Sequence, residues 1–534
     1  MKWSELTQRQ QEVAGASDRT MLVTGGAGTG KTTVALWAAR TELERSHNAS
    51  SRALFLTFSR TAVDQIITRS RSIVAPVEER IEVSTFHSFA YRLVRRFGHL
   101  AGLTDRNPEV QSASQLKLLG KAPDRLVYDD LAPLARRVLD NPQVAELLEQ
   151  RWCMVICDEF QDTGDSQWEL LERLGEHARL LLLGDEHQLI YGFLAKSGVT
   201  PQRMHDTRAW VDRAVELEPA SHRDPSGAIP ALATAVRQRR FSDPAVRDAI
   251  ELDRFFVRSG VRDDSAVSAI GSALDAAWTR GCRTFGVFAH TNQSVAELSS
   301  RLAEAGIENY LVGLPDAEAD ALAAMLALTQ YAYGEVDWPI VSVAFGTYLT
   351  ACSRGAAPAL ARSLAAGTAL PTVLQGRVDD LRAAVADAAA SSLSDVADVA
   401  ATAWVSLGIN DSDAPWQRAA PAFQSLARQS ARMPVGQTST LSTAVSQLRL
   451  GAMFESRRRR LPAVQVMNLH QTKGREADAV VILCDDDDFH GREAEPFIEG
   501  SRLLYVTLTR ARREVTVILG DDPHPLVAPL AALG

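Results

Sequence analysis

The chain has 534 residues, enough for three or four domains at roughly 150 residues each. Hydrophobic residues make up 46% and charged residues 23%, which is typical of a globular protein. The first residues contain no apolar run like that of a signal peptide, and no segment has the about 18 consecutive apolar residues that a membrane span needs. We therefore expect a cytoplasmic protein without a membrane partner.

The net charge of −9 argues against a protein that coats nucleic acid over its whole surface. It still permits a local basic track, because contacts with phosphates depend on the charge of one surface. The five cysteines are scattered, and Cys153 and Cys157 lie in an apolar run without a nearby second pair or histidine. Small buried side chains are therefore expected rather than a cysteine metal site.

Short apolar runs separated by helical patterns predict α/β alternation around parallel sheets, with each run a strand buried on both faces. The first group of predicted strands covers 21–24, 53–58, 152–157 and 179–183. A second group, in a stretch that begins near residue 216, covers 284–289, 310–312, 464–469, 479–484 and 514–519. The sequence therefore predicts two α/β domains.

Each predicted α/β domain is interrupted by a segment of helical spacing. The first domain would comprise residues 1–88 and 149–215, with a small helical insertion over 89–148. The second would comprise 216–316 and 461–534, with an Ala- and Leu-rich helical insertion over 317–460. The prediction is therefore two α/β domains with two helical insertions of unequal size.

A glycine-rich segment follows the first predicted strand and matches G-x-x-x-x-G-K-[ST]. Its backbone N–H groups would curl around the phosphates of ATP, Lys31 would face the β and γ oxygens, and the Thr32 hydroxyl would hold Mg²⁺. The N-terminus of the following helix would point at the same anion. An ordinary Gly-rich turn is disfavoured by the strand before it and the helix after it. The predicted ATP contacts here are Gly25, Gly26, Ala27, Gly28, Thr29, Gly30, Lys31, Thr32 and Thr33.

Two adjacent carboxylates follow the predicted strand over 152–157. Asp158 is placed to hold the Mg²⁺ shell, and Glu159 is placed to polarise the attacking water. Adjacent acids at a strand end are in other proteins often a solvated turn. Their combination with a phosphate-binding loop favours the catalytic interpretation.

Transfer of the γ-phosphoryl group also needs cations that approach from outside the phosphate-binding domain. Arg223 and Arg510, both in the second predicted α/β domain, are the candidates. Taken alone, either is typical of an ordinary surface arginine. Their surrounding segments, 221–224 and 505–511, favour a catalytic role.

Taken in order, these segments resemble the UvrD/Rep/PcrA-type DNA helicases of superfamily 1, nearly from one end of the chain to the other. The wording is most specific in the phosphate-binding loop and in Asp-Glu-Phe-Gln-Asp-Thr, Gly-Asp-x-x-Gln-x-Ile-Tyr-x-Phe and Tyr-Val-x-x-Thr-Arg-Ala. The matching segments are 6–10, 25–32, 56–62, 84–89, 158–163, 184–193, 221–224, 468–476 and 502–511.

The resemblance implies two RecA-like P-loop NTPase domains, 1A and 2A, that clamp one ATP, with the helical segments as insertions 1B and 2B. It implies 3′→5′ movement on single-stranded DNA or at a junction of single- and double-stranded DNA. Gln10 would contact adenine, Gln188 would sense the γ-phosphate, and Arg510 would be the arginine finger. Gly474 and Glu476 would contact the nucleotide, with Glu476 on the ribose.

The same resemblance supplies a set of predicted DNA contacts, in which aromatic rings stack on bases and polar groups meet phosphates. These residues are Thr57, Phe58, Thr85, Phe86, His87, Tyr191, Phe193 and His470. Any one of these aromatic rings, taken alone, is more often part of a core. The arginine run 457–460 is a further candidate for duplex DNA, although such a run is usually a solvated face.

Several positions depart from the family pattern. His222 is where the family usually has a tyrosine that stacks on adenine, which predicts looser selection of the base. Leu194, Asn468, Arg475 and Ser501 also differ from the usual residues, and the 1B insertion is short. These departures leave ATP hydrolysis intact but weaken the prediction of processive unwinding.

Two functional hypotheses follow. One is a DNA helicase of repair or replication restart; the other is a DNA-sensing ATPase that regulates a partner nuclease, as in Gabija-type anti-phage defence systems. The short 1B insertion favours the second, and the motif set fits both. An RNA-directed helicase is a weaker third alternative, because segments 158–163 and 184–193 have the UvrD-type wording.

Overall fold

A computed structural model describes residues 3–58, 66, 73–104, 110–121, 125–218, 223–312, 316–353, 355–409, 413–431, 438–449, 462–484 and 493–533. The side chains of 192–194, 292–293, 296, 316, 413–414 and 447–449 lie outside this description. The chain forms two compact units. Unit 1 comprises Met1–Arg106, Asp129–Val312 and Arg460–Gly534, and unit 2 comprises Asn107–Tyr128 and Gly313–Arg459.

Unit 1 contains a first sheet of six strands in the order β3-β2-β4-β5-β1-β6, and all of its neighbouring pairs are parallel. The inner strands are buried along nearly their whole length, because their apolar runs are covered by helices. The strands are β1 (Thr20–Thr24), β2 (Arg52–Thr57), β3 (Ile81–Thr85), β4 (Trp152–Cys157), β5 (Arg179–Gly184) and β6 (Arg213–Glu216).

The helices along this part of the chain begin at recognisable caps. The first has a capping box in which Thr7 and Gln10 bond each other's backbone N–H groups, and the third is capped by Thr85. The helices are α1 (Gln8–Gly15), α2 (Lys31–Arg45), α3 (Phe86–Phe97), α4 (Ala113–Leu119), α5 (Tyr128–Leu139), α6 (Pro142–Arg151), α7 (Asp165–Gly175) and α8 (Pro201–Trp210). All except α4 belong to unit 1 wholly or nearly so.

A second six-stranded sheet in unit 1 has the order β7-β12-β11-β8-β10-β9, again with parallel pairs. Its strands are β7 (Phe255–Arg258), β8 (Phe285–Ala289), β9 (Asn309–Leu311), β10 (Val464–Asn468), β11 (Ala477–Cys484) and β12 (Ala511–Leu519). Its helices are α9 (Ala228–Arg237), α10 (Pro244–Glu251), α11 (Asp263–Thr279), α12 (Asn292–Glu304) and α20 (Ile498–Leu508).

Unit 2 is helical in its described residues and has its own core. Trp404 and Trp416 stack there at 5.6 Å, and Tyr348 meets both rings edge to face. Besides α4, its helices are α13 (Asp316–Ala332), α14 (Trp338–Ala351), α15 (Ala359–Ala366), α16 (Thr372–Ala389), α17 (Leu393–Leu407), α18 (Asp413–Ser430) and α19 (Ser439–Arg449).

The predicted fold class is confirmed: two parallel six-stranded sheets flanked by helices form two RecA-like α/β domains. The strands β3, β6 and β7 were not predicted, because their runs are short or carry polar residues among the apolar ones. The segment 89–148, predicted as one insertion, is divided in the structure. Residues 107–128 cluster with unit 2, whereas most of the remainder packs in unit 1.

Candidate active site

The loop between β1 and α2 has backbone angles that favour glycine. Gly28 and Gly30 have φ of 82° and 87°, which side chains other than glycine rarely adopt. The Lys31 Nζ donates to the carbonyl oxygens of Gly25 at 2.6 Å and Gly26 at 2.9 Å. The loop therefore curves around the Lys31 ammonium, at the N-terminus of α2.

The Thr32 hydroxyl donates to Asp158 Oδ2 over 3.2 Å, which joins the start of α2 to the end of β4. Burial and the adjacent Glu159 raise the Asp158 pKa to about 6, against the opposing effect of Lys31. One hydroxyl and one carboxylate are the hard oxygen ligands that Mg²⁺ shares with phosphates and water. These two residues therefore fit the predicted Mg²⁺ site.

Glu159 is held at the site by an unusual backbone and a neighbouring amide. Its φ is 57°, and its Oε2 accepts from Gln161 Nε2 over 2.7 Å. Burial opposes ionisation, but Lys473, Lys31 and Arg510 outweigh it and lower the Glu159 pKa. The carboxylate is therefore ionised at neutral pH, as activation of a water molecule requires.

Gln161 was not among the predicted site residues. It is fully buried, and its Oε1 also accepts from the backbone N–H of Asp185 over 3.0 Å. It thus ties Glu159 to the segment that carries Gln188. Apart from its position two residues after Glu159, nothing in the sequence indicates this role.

Arg510 of the second α/β domain reaches the first. Its Nη2 donates to Gln188 Oε1 over 3.0 Å, while its Nε donates to the Val506 carbonyl. The Arg510 side chain is only 2% exposed, and burial together with Arg223 lowers its pKa to about 10. The guanidinium therefore stays charged at neutral pH in the position expected of an arginine finger.

Arg223 and Glu476 form an ion pair of 2.6 Å, and Arg223 also donates to the Thr509 carbonyl. The other oxygen of Glu476 accepts from Arg512 at 3.1 Å. The carboxylate predicted to contact ribose thus lies between two arginines. Arg512 was not predicted as a site residue, and nothing in its sequence context singles it out.

Lys473 is another residue of the site that was not predicted as such. It belongs to the second α/β domain, yet its Nζ lies 2.5 Å from Asp162 Oδ2 and 3.7 Å from Glu159 Oε2 in the first. The chain has only six lysines, and Lys31 and Lys473 both lie in segments that match helicase motifs. That scarcity was the available signal.

A cavity of about 360 Å³ contains most of the predicted catalytic residues and half of the predicted nucleotide contacts. It also contains Ile66 and Arg512, which were not predicted. The predicted residues in its wall are Gly28, Thr29, Gly30, Lys31, Thr32, Thr33, Asp158, Glu159, Gln188, Arg223, Gly474, Glu476 and Arg510. Residues 479 positions apart, such as Lys31 and Arg510, thus share one site.

Other predicted nucleotide contacts do not line this cavity. Gln10 is buried behind the loop, where its Nε2 donates to the Thr29 carbonyl over 3.0 Å and its Oε1 accepts from the Thr7 N–H. Gly25, Gly26 and Ala27 form the loop itself, and the Ala27 N–H donates to the Tyr505 hydroxyl across the two domains. His222 lies outside the described residues.

Two of the predicted DNA contacts need correction. Thr57 is fully buried and Phe86 is 2% exposed, so neither is accessible to a nucleic acid in this structure. Phe86 packs against Phe58, with the ring centroids 4.8 Å apart, because α3 begins there against the end of β2. Thr85 is the N-cap of α3 and accepts from the Ser88 N–H. These residues therefore build the end of the sheet.

The other predicted DNA contacts divide into two groups. Tyr191 stacks on His470 of the second domain, with the ring centroids 6.0 Å apart and the planes at 26°. His87 is exposed at the first turn of α3. The side chain of Phe193 and the run 457–460 lie outside the described residues. Tyr191, His470 and His87 remain predicted DNA contacts.

The described residues contain neither a candidate membrane span nor a cluster of metal ligands. No helix among them combines the length and apolar character that crossing a bilayer requires. No group of three or more His, Cys, Asp or Glu side chains among them is placed to hold a metal ion. A Mg²⁺ held by Thr32 and Asp158 would therefore depend on phosphate and water for its remaining ligands.

Comparison with protein families matched an AAA domain over residues 8–194 and a UvrD-like helicase C-terminal domain over 463–518. The ATP-dependent DNA helicase PcrA of Bacillus subtilis is 25% identical over 248 residues, which are 35% of this chain and 34% of PcrA. The chain thus matches about a third of the length of PcrA. The two matched domains carry residues of both halves of the cavity.

Shorter matches relate the chain to helicases that work with nucleases. The RecBCD enzyme subunit RecB of Mycobacterium tuberculosis is 45% identical over 60 residues, 11% of this chain and 5% of RecB. An ATP-dependent helicase/nuclease polypeptide of Lactococcus lactis is 37% identical over 81 residues, 15% of this chain and 7% of its own. Among solved structures, that of the Pif1 helicase from Candida albicans covers 55% of this chain and 53% of its own, at 16% identity and a TM-score of 0.31.

Proposed function

We propose that this chain, a UvrD-like superfamily 1 helicase by its two matched domains, is a motor that hydrolyses ATP to move 3′→5′ along single-stranded DNA. The observation that carries the proposal is the shared cavity. Lys31, Asp158 and Glu159 enter it from the first α/β domain, and Arg223 and Arg510 enter it from the second. A site divided between two domains can turn each hydrolysis into a change of their separation.

ATP would bind with its phosphates on the loop from Gly28 to Thr33, and Lys31 would exchange its carbonyl partners for phosphate oxygens. Thr32 and Asp158 would hold Mg²⁺, which neutralises charge on the β and γ oxygens when bound. The loop offers backbone N–H groups that point at an anion. This half of the site would therefore fix the nucleotide.

The chemical step would use groups from both domains. Glu159, held by Gln161, would accept a proton from the attacking water. Arg510, already bonded to Gln188, would stabilise the charge that develops on the γ-phosphoryl group. Hydrolysis would therefore require the two domains to be closed on one another. Release of phosphate would remove the anion that both domains share.

Movement on DNA requires a binding track that changes with this closure. Tyr191 of the first domain and His470 of the second form one stacked pair, which is the part of the predicted DNA surface that spans both domains. PcrA, which this chain resembles over 248 residues, is described as an ATP-dependent DNA helicase. Single-stranded DNA is therefore the proposed track, with the single-strand/duplex junction as the place of action.

A strand-displacement assay tests this proposal. Duplexes with a 3′ tail, a 5′ tail or no tail are incubated with the protein, Mg²⁺ and ATP. We expect displacement of the 3′-tailed substrate only, and none with Lys31→Ala. Preference for the 5′ tail would overturn the polarity. Absence of any DNA-dependent ATP hydrolysis would overturn the motor itself.

A second candidate is a DNA-sensing ATPase that controls a nuclease partner. It is favoured by the short likenesses to RecB and to the helicase/nuclease of Lactococcus lactis. Anti-phage defence is one setting in which such a pair would work. DNA-stimulated hydrolysis without displacement of any tailed substrate would favour this candidate.

A further inference from the structure

Lys473 belongs to the second α/β domain, but its ammonium group contacts the first. The Nζ donates to Asp162 Oδ2 at 2.5 Å and to the Gln188 carbonyl at 2.7 Å, and it lies 3.7 Å from Glu159 Oε2. The ammonium also lies 5.6 Å from the centre of the Tyr191 ring. One cation thus lies beside both residues predicted to act on the γ-phosphate and its attacking water.

This ion pair is costly to bury. Lys473 is 5% exposed and Asp162 is 4% exposed, and the second oxygen of Asp162 has no hydrogen-bond partner among the described residues. Desolvating two charges often offsets most of the attraction between them, so stability alone is a weak reason for such a pair. A role in positioning gives a better account of a lysine placed there.

Lys473 does not line the cavity, so it does not contact the nucleotide directly. It lies behind Glu159 and Gln188, on the side away from the phosphates. When the two α/β domains separate, this cation leaves the Glu159 carboxylate. Closure restores it.

We propose that Lys473 is a positioning residue that the second domain supplies to Glu159 and Gln188 of the first, so that hydrolysis proceeds only in the closed state. The proposal rests on the proposed ATPase function. It adds a second contribution from the 2A domain besides Arg510. Arg510 would act on the nucleotide, whereas Lys473 would act on the groups that handle the water and the γ-phosphate.

Three variants separate positioning from simple bracing of the domains. Lys473→Met removes the cation and retains most of the side-chain length. Asp162→Asn breaks the same 2.5 Å ion pair but leaves Lys473 beside Glu159 and the Gln188 carbonyl. The double variant Asp162→Asn/Lys473→Met removes one charge of each sign, which avoids a buried carboxylate left without its cation.

The measurements are kcat and KM for ATP at saturating single-stranded DNA, and Kd for a non-hydrolysable ATP analogue with Mg²⁺. For Lys473→Met we expect kcat to fall by about 10²-fold or more, which is the contribution typical of a positioned acid–base group. The Kd should stay within about threefold, as for a change that removes no contact with the nucleotide. Asp162→Asn should lose less than about tenfold in kcat, a loss well below the acid–base contribution.

The double variant decides the case if Lys473→Met fails to fold. Its kcat should be as low as expected for the single lysine change, with nucleotide binding retained. Equal losses in Asp162→Asn and Lys473→Met, with recovery in the double variant, would mean that the pair only braces the domains, and would overturn the proposal. A wild-type protein without ATPase activity would instead overturn the proposed function.

Discussion

At the scale of single residues, Lys31 and Glu159 divide nucleotide binding from hydrolysis. Lys31→Ala should abolish ATP hydrolysis, because it removes the ammonium around which the phosphate-binding loop is folded. Glu159→Gln should still bind ATP with Mg²⁺ but hydrolyse it about 10²–10⁴ times more slowly, since an amide cannot accept the proton of water. Phosphate release assays and binding of a fluorescent nucleotide measure the two effects. Near-normal turnover in either variant would contradict the assignment of the site.

Arg510 provides the strictest test of the two-domain site. Arg510→Ala should lower DNA-stimulated hydrolysis by about 10³–10⁵-fold, as for arginine fingers in other P-loop enzymes, with the protein folded and nucleotide bound. Arg510→Lys should restore little, because a point charge does not replace the planar fork.

Arg513 is the matched control for Arg510. It lies three positions away, and its guanidinium donates to the backbone carbonyls of Gly281 and Arg280 on the exposed side of the second domain. Arg513→Ala should change the rate by less than about threefold. A similarly mild effect of Arg510→Ala would contradict the clamp.

At the scale of elements, helices α17 and α18 depend on the aromatic core of unit 2. Trp404 is fully buried between Tyr348, Phe345 and Trp416. Trp404→Ala should therefore lower the free energy of unfolding of unit 2 by about 3–5 kcal/mol, through lost burial and the cavity left behind. The neighbouring Val405 is 44% exposed, and Val405→Ala should change this free energy by at most about 0.5 kcal/mol. Urea denaturation followed by tryptophan fluorescence compares the two. Equal destabilisation would show that the core is organised differently.

At the scale of the whole molecule, DNA and ATP should promote each other's effect. Single-stranded DNA should raise the rate of ATP hydrolysis strongly, because a ligand bound across Tyr191 and His470 favours the closed arrangement of the two domains. The affinity for DNA should fall steeply between about 50 and 200 mM salt, as phosphate contacts require. Titration of DNA in an ATPase assay at several salt concentrations measures both. A rate unaffected by DNA at low salt would contradict the motor.

The sequence alone determined the α/β fold and most of the nucleotide site. Short apolar runs can be buried on both faces only in a covered parallel sheet, and the glycine-rich loop with Lys31 has few other structural uses. Both signals are local, so they can be recognised without knowledge of tertiary contacts. The same holds for Asp158 and Glu159, which directly follow an apolar strand.

Only the tertiary structure decided which residues from distant segments meet. Lys473 with Asp162 and Arg512 with Glu476 are pairs whose function depends on partners supplied by folding. Burial likewise removed Thr57 and Phe86 from the DNA surface, because an aromatic or polar side chain at a strand end has the same local sequence whether it packs inward or faces solvent. The strands β3, β6 and β7 form because neighbouring strands offer them partners, which no local pattern reveals.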